Sequence, residues 1–303
     1  MKKLLILSGK GGTGKTTTAA AFIEFSKAKA IADCDVDAPN LHIVARVQGE
    51  PQHSTFYGGD KAVIDAQKCT GCGLCAEKCR FQAIQRKQNG YAVLEHACEG
   101  CGVCAYVCPE KAISLKPDAA GEMQLYQQER VFSTAKLKMG RGNSGKLVSE
   151  VKNAMIKAAN AEVAIVDGSP GIGCPVIASV SGMDLVLIVA EPSVSGISDL
   201  KRIVKTAEIL QTPVAICVNK HDCSPENTQK IEDFCKQKGI PFMGRVPYDK
   251  AASAAINKGE SIALYDCPAR TALYNVYCNT MKLICADMYE ELSAVHLHKN
   301  VFQ

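Results

Sequence analysis

The sequence predicts an α/β protein: a mostly parallel, doubly wound sheet with helices on both faces, interrupted by a small α+β domain. Three observations carry this. Apolar runs near Lys3, Ala30, Val163, Leu185, Val214 and Pro241 alternate with stretches of helical composition, as βαβ units do. The first run opens into a glycine-rich loop that feeds a helix, "KLLILSGKGGTGKTTTAAAF". Between the second and third runs lie two matched segments of four cysteines each.

Composition narrows the class. At 303 residues, with 47% hydrophobic and 22% charged, the chain has the profile of a soluble globular protein with a real core. Its longest apolar runs, such as "LVLIVA", have strand length, so no membrane partner is expected. The formal charge of +4 is not gathered into any Lys/Arg block dense enough to track phosphates, so no nucleic-acid partner is expected either. The start "MKKLLILSGK" has a basic beginning, but its apolar run stops at Ser8; it reads as a first strand rather than a signal peptide, in a cytoplasmic protein. Of 16 cysteines, eight lie between Cys69 and Cys108. In a cytoplasmic chain such clustering points to metal rather than disulfides.

The loop after the first strand matches G-x-x-x-x-G-K-[ST] and sits between strand and helix, the context a phosphate-binding loop needs. Gly11, Gly12, Thr13 and Gly14 let the backbone turn its N–H groups, with the helix N-terminus, toward phosphates. Lys15 is placed to reach the β- and γ-phosphates, Thr16 to ligate Mg²⁺, and Thr17 to continue the cradle. Lys10 is one lysine more than the pattern requires. "IADCDVDAPNL" ends the second strand with Asp33 and Asp35 on one side by period-two alternation. "VAIVDGSPGIG" ends another at Asp167, and Gly168 and Gly171 allow a loop that senses the γ-phosphate. "VAICVNKHD" contains Asn219, Lys220 and Asp222 as N-K-x-D, the guanine-reading pattern, which leaves GTP open beside ATP.

"CTGCGLCAEKC" and "CEGCGVCAYVCPE" are each C-x2-C-x2-C-x3-C, the bacterial ferredoxin spacing for two [4Fe–4S] clusters, in which the fourth cysteine of each run serves the other cluster. Cys69, Cys72, Cys75 and Cys108 form one set; Cys98, Cys101, Cys104 and Cys79 form the other. Arg80 stands where proline follows the fourth cysteine of the second run (Pro109), a difference expected to affect the local turn. Zinc is the competing metal. Each run precedes an x-Ala-Ile segment (Gln82-Ala83-Ile84 and Lys111-Ala112-Ile113), so the region reads as an internal duplication. It divides the chain into 1–60, the first part of a nucleotide-binding domain; 61–116, the insert; and 117–303, the remainder, with a β-hairpin at 123–138 and a helix reaching about Asn160.

"KGGTGKTT" resembles the deviant Walker A loop of the MinD/ParA group of ATPases, which includes the nitrogenase iron protein, and the whole order resembles MinD-type ATPases with an inserted ferredoxin. The resemblance implies ATP and Mg²⁺ as cofactors and an ATP-dependent homodimer. It implies that Lys10 reaches the partner's phosphates, that Asp35 orients the attacking water with Asp33 near the metal, and that Asp167 holds Mg²⁺ through water. Asn219 then contacts adenine, which favours ATP over GTP, and "GRVPYD" flanks the base. Cys174 lies where the nitrogenase iron protein has a bridging cluster ligand, but no cysteine occupies the second ligand region, 139–145. The expected function is ATP hydrolysis governing a two-cluster module, for electron transfer to a redox partner or for metallocofactor or iron–sulfur maturation. The alternatives are a cluster carrier or scaffold and a spatial-positioning ATPase. The last would want a basic amphipathic C-terminal helix, whereas "MKLICADMYEELSAVHLHKNVFQ" carries Asp287, Glu290 and Glu291.

Overall fold

A computed structural model describes residues 1–285; the acidic C-terminal stretch with Asp287, Glu290 and Glu291 lies outside them. In chain order the elements are β1 (Lys2–Leu7), α1 (Lys15–Ser26), β2 (Ala30–Asp33), α2 (Leu41–Val44) and β3 (Gln52–Ile64). The cysteine region follows as α3 (Leu74–Glu77), β4 (Ile84–Lys87), β5 (Gly90–Val93) and α4 (Val103–Val107). The chain returns through β6 (Ile113–Gln127), β7 (Val131–Leu137), α5 (Ser144–Ala158), β8 (Val163–Asp167), α6 (Cys174–Val180) and β9 (Leu185–Ala190). It ends with α7 (Val194–Ile209), β10 (Val214–Asn219), α8 (Pro225–Lys238), β11 (Phe242–Val246), α9 (Lys250–Asn257) and α10 (Pro268–Ile284).

Nine strands form the main sheet in the order β11-β10-β9-β1-β8-β2-β7-β6-β3. Every pair from β11 through β7 is parallel; only β6 against β7 and β3 against β6 are antiparallel. Central strands covered on both faces have no polar side to show, which is why β1 and β9 read as unbroken apolar runs. Alternation divides β1 between two cores. Leu4 and Ile6 pack with Phe22 and Ile23 of α1 and Leu273 and Val276 of α10. Leu5 and Leu7 pack with Val151 and Met155 of α5 and Leu200 and Ile203 of α7. Helices therefore cover both faces, the doubly wound arrangement expected.

Two features of this sheet were not expected. The hairpin is present as β6 and β7, but β7 also pairs in parallel with β2, so it belongs to the main sheet. Residues 52–64 carry no strand expectation, yet they form its edge. Gly58 and Gly59 interrupt their alternation at a register shift, and an edge strand buries few residues for a pattern to show. β3 and β6 make one long antiparallel ribbon whose far end carries the insert; Lys61 and Lys116 lie directly opposite each other in it. Chain entry and exit thus run side by side into the cysteine region, which has its own small core around Ala62, Ala83, Ile84 and Ile113.

Parallel strands aligned this way put their carboxyl ends on one edge. The loops after β1, β2, β8, β9, β10 and β11 therefore meet there, as ligand-binding loops of open α/β sheets do.

Candidate functional site

A cavity of about 600 Å³ opens on that edge. The glycine loop, Asp35, Asn219 and the segment Val246–Pro247–Tyr248–Asp249 line it, with Ile256, Ile262 and Leu273 closing its apolar end. Gly14, immediately before α1, has φ +94°, and a Cβ there would come within 2.2 Å of the Asn219 side-chain nitrogen. Only glycine fits both the left-handed backbone and that approach. Asn219 in turn donates to the Thr13 carbonyl at 2.7 Å, tying β10 to the loop. Thr13 is buried, and its hydroxyl has no partner among the described residues.

At the centre lies a buried charge cluster. The Lys15 ammonium is 2.6 Å from Asp167 and 4.0 Å from Asp35, and the Thr16 hydroxyl donates to the other Asp167 oxygen at 2.8 Å. Burial alone would push Lys15 down; the charge and hydrogen bond of Asp167, with Asp35 and Asp33 behind, hold it above its ordinary value. Burial pushes Asp35 up, Lys15 pulls it down and Asp167 pushes it up again, leaving it raised. Thr16 and Asp167 present hard oxygen donors side by side, a set that fits Mg²⁺.

Two expected roles differ in the structure. Asp33 does not line the cavity: it is fully buried, and its carboxylate accepts the backbone N–H groups of Asp35, Asn40 and Leu41 at 3.0–3.1 Å. It anchors the loop that carries Asp35, while its strand neighbour Asp167, opposite it in the register, takes Lys15 and Thr16. Gly171 does take a left-handed backbone, φ +103°, but its amide donates to the Ser8 carbonyl at 3.1 Å and does not face the cavity; Ser169 and Pro170 do. The loop is further fastened by Ser169 donating to the Cys34 carbonyl at 2.5 Å.

Lys10 sits at the mouth, a third exposed. It is paired with Glu191 at 2.6 Å and donates to the Ser193 and Ser195 hydroxyls at 3.1 and 3.3 Å. Lys220 also reaches Glu191, at 3.4 Å, and donates to the Gly12 carbonyl at 2.9 Å. Burial pushes the Glu191 carboxyl up, but the hydrogen bond and charge of Lys10, with Lys220, hold it below its ordinary value. Sequence reasoning passed over Glu191. Its one signal is position: it directly follows the apolar run of β9, where strand ends collect function. Asp222, the last member of N-K-x-D, accepts the Tyr248 N–H at 2.7 Å and does not line the cavity.

The insert gathers its cysteines into two sets. Cys69, Cys72, Cys75 and Cys108 line one small cavity; Cys79, Cys98, Cys101 and Cys104 line the other. Among the described residues no three His, Cys, Asp or Glu side chains converge closely enough to hold a single ion; these thiols are spread around the walls of their hollows. The duplication is visible in the backbone. Gly71, Gly73 and Gln82 take left-handed conformations, and so do their equivalents Gly100, Gly102 and Lys111. Ala83 N–H points at the Cys79 sulfur and Ala112 N–H at the Cys108 sulfur, both at 3.3 Å. Matching turns close behind Arg80 and Pro109, with Gln82 N–H on the Cys79 carbonyl and Lys111 N–H on the Cys108 carbonyl, both at 3.2 Å. The expected effect of Arg80 on the turn is therefore absent, since both residues meet the same hydrogen-bond pattern. Four sulfurs around one hollow, with amides aimed at them, is a donor set that fits an iron–sulfur cluster. Cys174 opens α6, exposed and packed beside Gly145.

The profile of the CobQ/CobB/MinD/ParA nucleotide binding domain matches residues 4–262. Two uncharacterised proteins of Methanocaldococcus jannaschii are similar. One is 35% identical over 223 residues, 72% of this chain and 78% of its own; the other is 30% identical over 300 residues, 88% and 93%. An iron-sulfur cluster carrier protein of the same organism is 23% identical over 285 residues, 88% of this chain and 79% of its own. Among solved structures, the cell division ATPase MinD of Pyrococcus furiosus superposes with a TM-score of 0.55 at 17% identity, covering 93% of this chain and 99% of that one. No helix among the described residues is long and apolar enough to cross a membrane.

Proposed function

The chain belongs to the CobQ/CobB/MinD/ParA nucleotide-binding family, and on that footing we propose that it is a cytoplasmic ATPase whose nucleotide state governs two [4Fe–4S] clusters held in the insert. The observation that carries this reading is the pair of four-cysteine hollows mounted on the β3–β6 edge ribbon, which is joined to the Asp35 loop through the end of β7. Lys15 and the loop amides bind the phosphates; for this Lys15 leaves Asp167, freeing that carboxylate and Thr16 for Mg²⁺, which neutralises phosphate charge. Asp35, 4.0 Å from Lys15 and open to the cavity, positions the attacking water, while Asp33 holds the Asp35 loop. Lys10, at the mouth, serves the nucleotide of a second copy in an ATP-dependent homodimer. Asn219, which lines the same cavity and is held against the glycine loop, meets adenine.

The clusters, when bound, supply one-electron carriers for a redox partner or for building another metallocofactor. The similarity to iron-sulfur cluster carrier proteins favours a second reading, in which a cluster is cargo handed to a recipient protein. Anaerobic purification with iron and sulfide counting, followed by EPR with and without ATP, tests both. The expected result is about eight irons per chain, retained by the chain and with an EPR signal that responds to ATP. Clusters that leave to an apo-protein acceptor support the carrier reading; zinc in their place after anaerobic reconstitution overturns both.

A further inference from the structure

Glu191 has a position that the phosphate-binding loop does not require. It lies behind the loop, against Gly9, Lys10, Thr13 and Gly196, and does not line the nucleotide cavity. Its two oxygens take two different lysines: Oε2 holds Lys10 at 2.6 Å and Oε1 holds Lys220 at 3.4 Å. The lysines differ in what else they have. Lys220 is fixed to the loop by the Gly12 carbonyl, whereas the other contacts of Lys10 are two serine hydroxyls, both weak competitors for a phosphate. One carboxylate therefore anchors a lysine that stays and restrains a lysine that is free to go.

We infer that Glu191 is the positioning residue for Lys10, holding its ammonium at the mouth of its own subunit's cavity and releasing it only to the phosphates of a second copy of the chain. The inference rests on the dimer reading above and names what sets its threshold. A partly exposed ion pair of this kind shifts an equilibrium by up to roughly fivefold. A symmetric dimer breaks two copies of the pair, so the factor applies twice to the dimer dissociation constant. Pairing with Glu191 thus opposes dimerisation until phosphates, stronger acceptors than one carboxylate, are presented on both sides.

Sedimentation of the full chain under anaerobic conditions, with Mg²⁺ and a hydrolysis-resistant ATP analogue, tests this. Glu191→Gln should tighten the dimer by about tenfold, within the range set by two half-screened pairs, and Glu191→Asp, which keeps the charge, should lie nearer the unsubstituted protein. In a Lys10→Ala background Glu191→Gln should change nothing, because no restrained lysine remains. A dimer unchanged or weakened by Glu191→Gln, or an effect that persists without Lys10, overturns the inference while leaving the dimer reading intact. A Lys10→Ala chain that dimerises like the unsubstituted protein overturns both.

Discussion

Replacing Asp167 by Asn removes one charge from the buried centre of the site and leaves its partner behind. Lys15 and Asp167 are 2.6 Å apart with side chains 6% and 0% exposed, so solvent cannot take over the lost interaction. Stripping one partner from a buried pair costs about 3–5 kcal/mol. Two features place this case at the lower end. Asp35 remains 4.0 Å from the ammonium, where at an effective dielectric of about 20 a unit charge still contributes about 4 kcal/mol of attraction, and the Asn oxygen can still accept from Thr16. The expected loss is therefore ~3 kcal/mol, about two decades in the folding equilibrium. Lys15 is held above its ordinary value of 10.5, so the pair's contribution is fully present below that pH and fades only as pH rises through the raised value. An assay at neutral pH sees all of it. Urea unfolding without nucleotide or Mg²⁺, on preparations of equal iron content, measures the loss, and the Lys15→Met/Asp167→Asn pair should recover most of it by removing the stranded charge. A single-variant loss under about 1 kcal/mol, or a double variant worse than the sum of its parts, would refute the account of a buried, mutually neutralising pair.

The same geometry sets the outcome of single substitutions at the loop, at Asp35 and at Asp222. Lys15→Ala should abolish nucleotide binding, Asp35→Ala should bind ATP and fail to hydrolyse it, and Lys10→Ala should bind ATP but hydrolyse slowly. Mixing the last two should restore phosphate release, because one site of the mixed dimer joins an intact Asp35 to an incoming Lys10; mixed dimers without activity would place Lys10 in cis. Asp222→Ala should leave the preference for ATP over GTP untouched, since its carboxylate is engaged by the Tyr248 N–H, and competition titration showing tighter GTP binding would overturn the adenine assignment.

What was legible in the sequence follows the range over which each feature is encoded. The glycine loop and the cysteine runs are local: a few residues in fixed spacing determine where every donor points, and the structure brings the two crossed cysteine sets together. The doubly wound sheet was legible because its central strands are buried on both faces. β3 was not, because an edge strand bulged at Gly58 and Gly59 leaves little apolar pattern. The roles of Asp33 and Glu191 were out of reach for a different reason. Alternation tells which side of β2 carries Asp33, but only the adjacency of β2 and β8 puts it next to Asp167 and directs it to loop amides. Glu191 acquires its two lysines from loops that meet it only because β9 lies between β1 and β10.

The same adjacency bears on how a nucleotide could be felt at the cysteines. The Val36 carbonyl, one residue past Asp35, accepts the Leu137 N–H at 2.9 Å, and the next N–H, from Lys138, goes to Ala120 on β6 at 2.8 Å. Arg141 then bonds Asp118 at 3.2 Å, with both side chains largely buried, and Glu95 at 2.8 Å, with Glu95 mostly exposed. By that difference in burial the Asp118 contact is the stiff one and the Glu95 contact the weak one. From Asp118 the β3–β6 ribbon runs directly to Lys61, whose ammonium bonds the Cys98 carbonyl. A shift of the Asp35 loop must therefore either break the rung to Leu137 or carry the 137–141 segment with it, and that segment is clamped to the ribbon. Coupling of this kind needs an element with two arrangements that both sites bias; the rung between Val36 and Leu137 ties the Asp35 loop to the strand system that carries the thiols, and such an element would have to act through it.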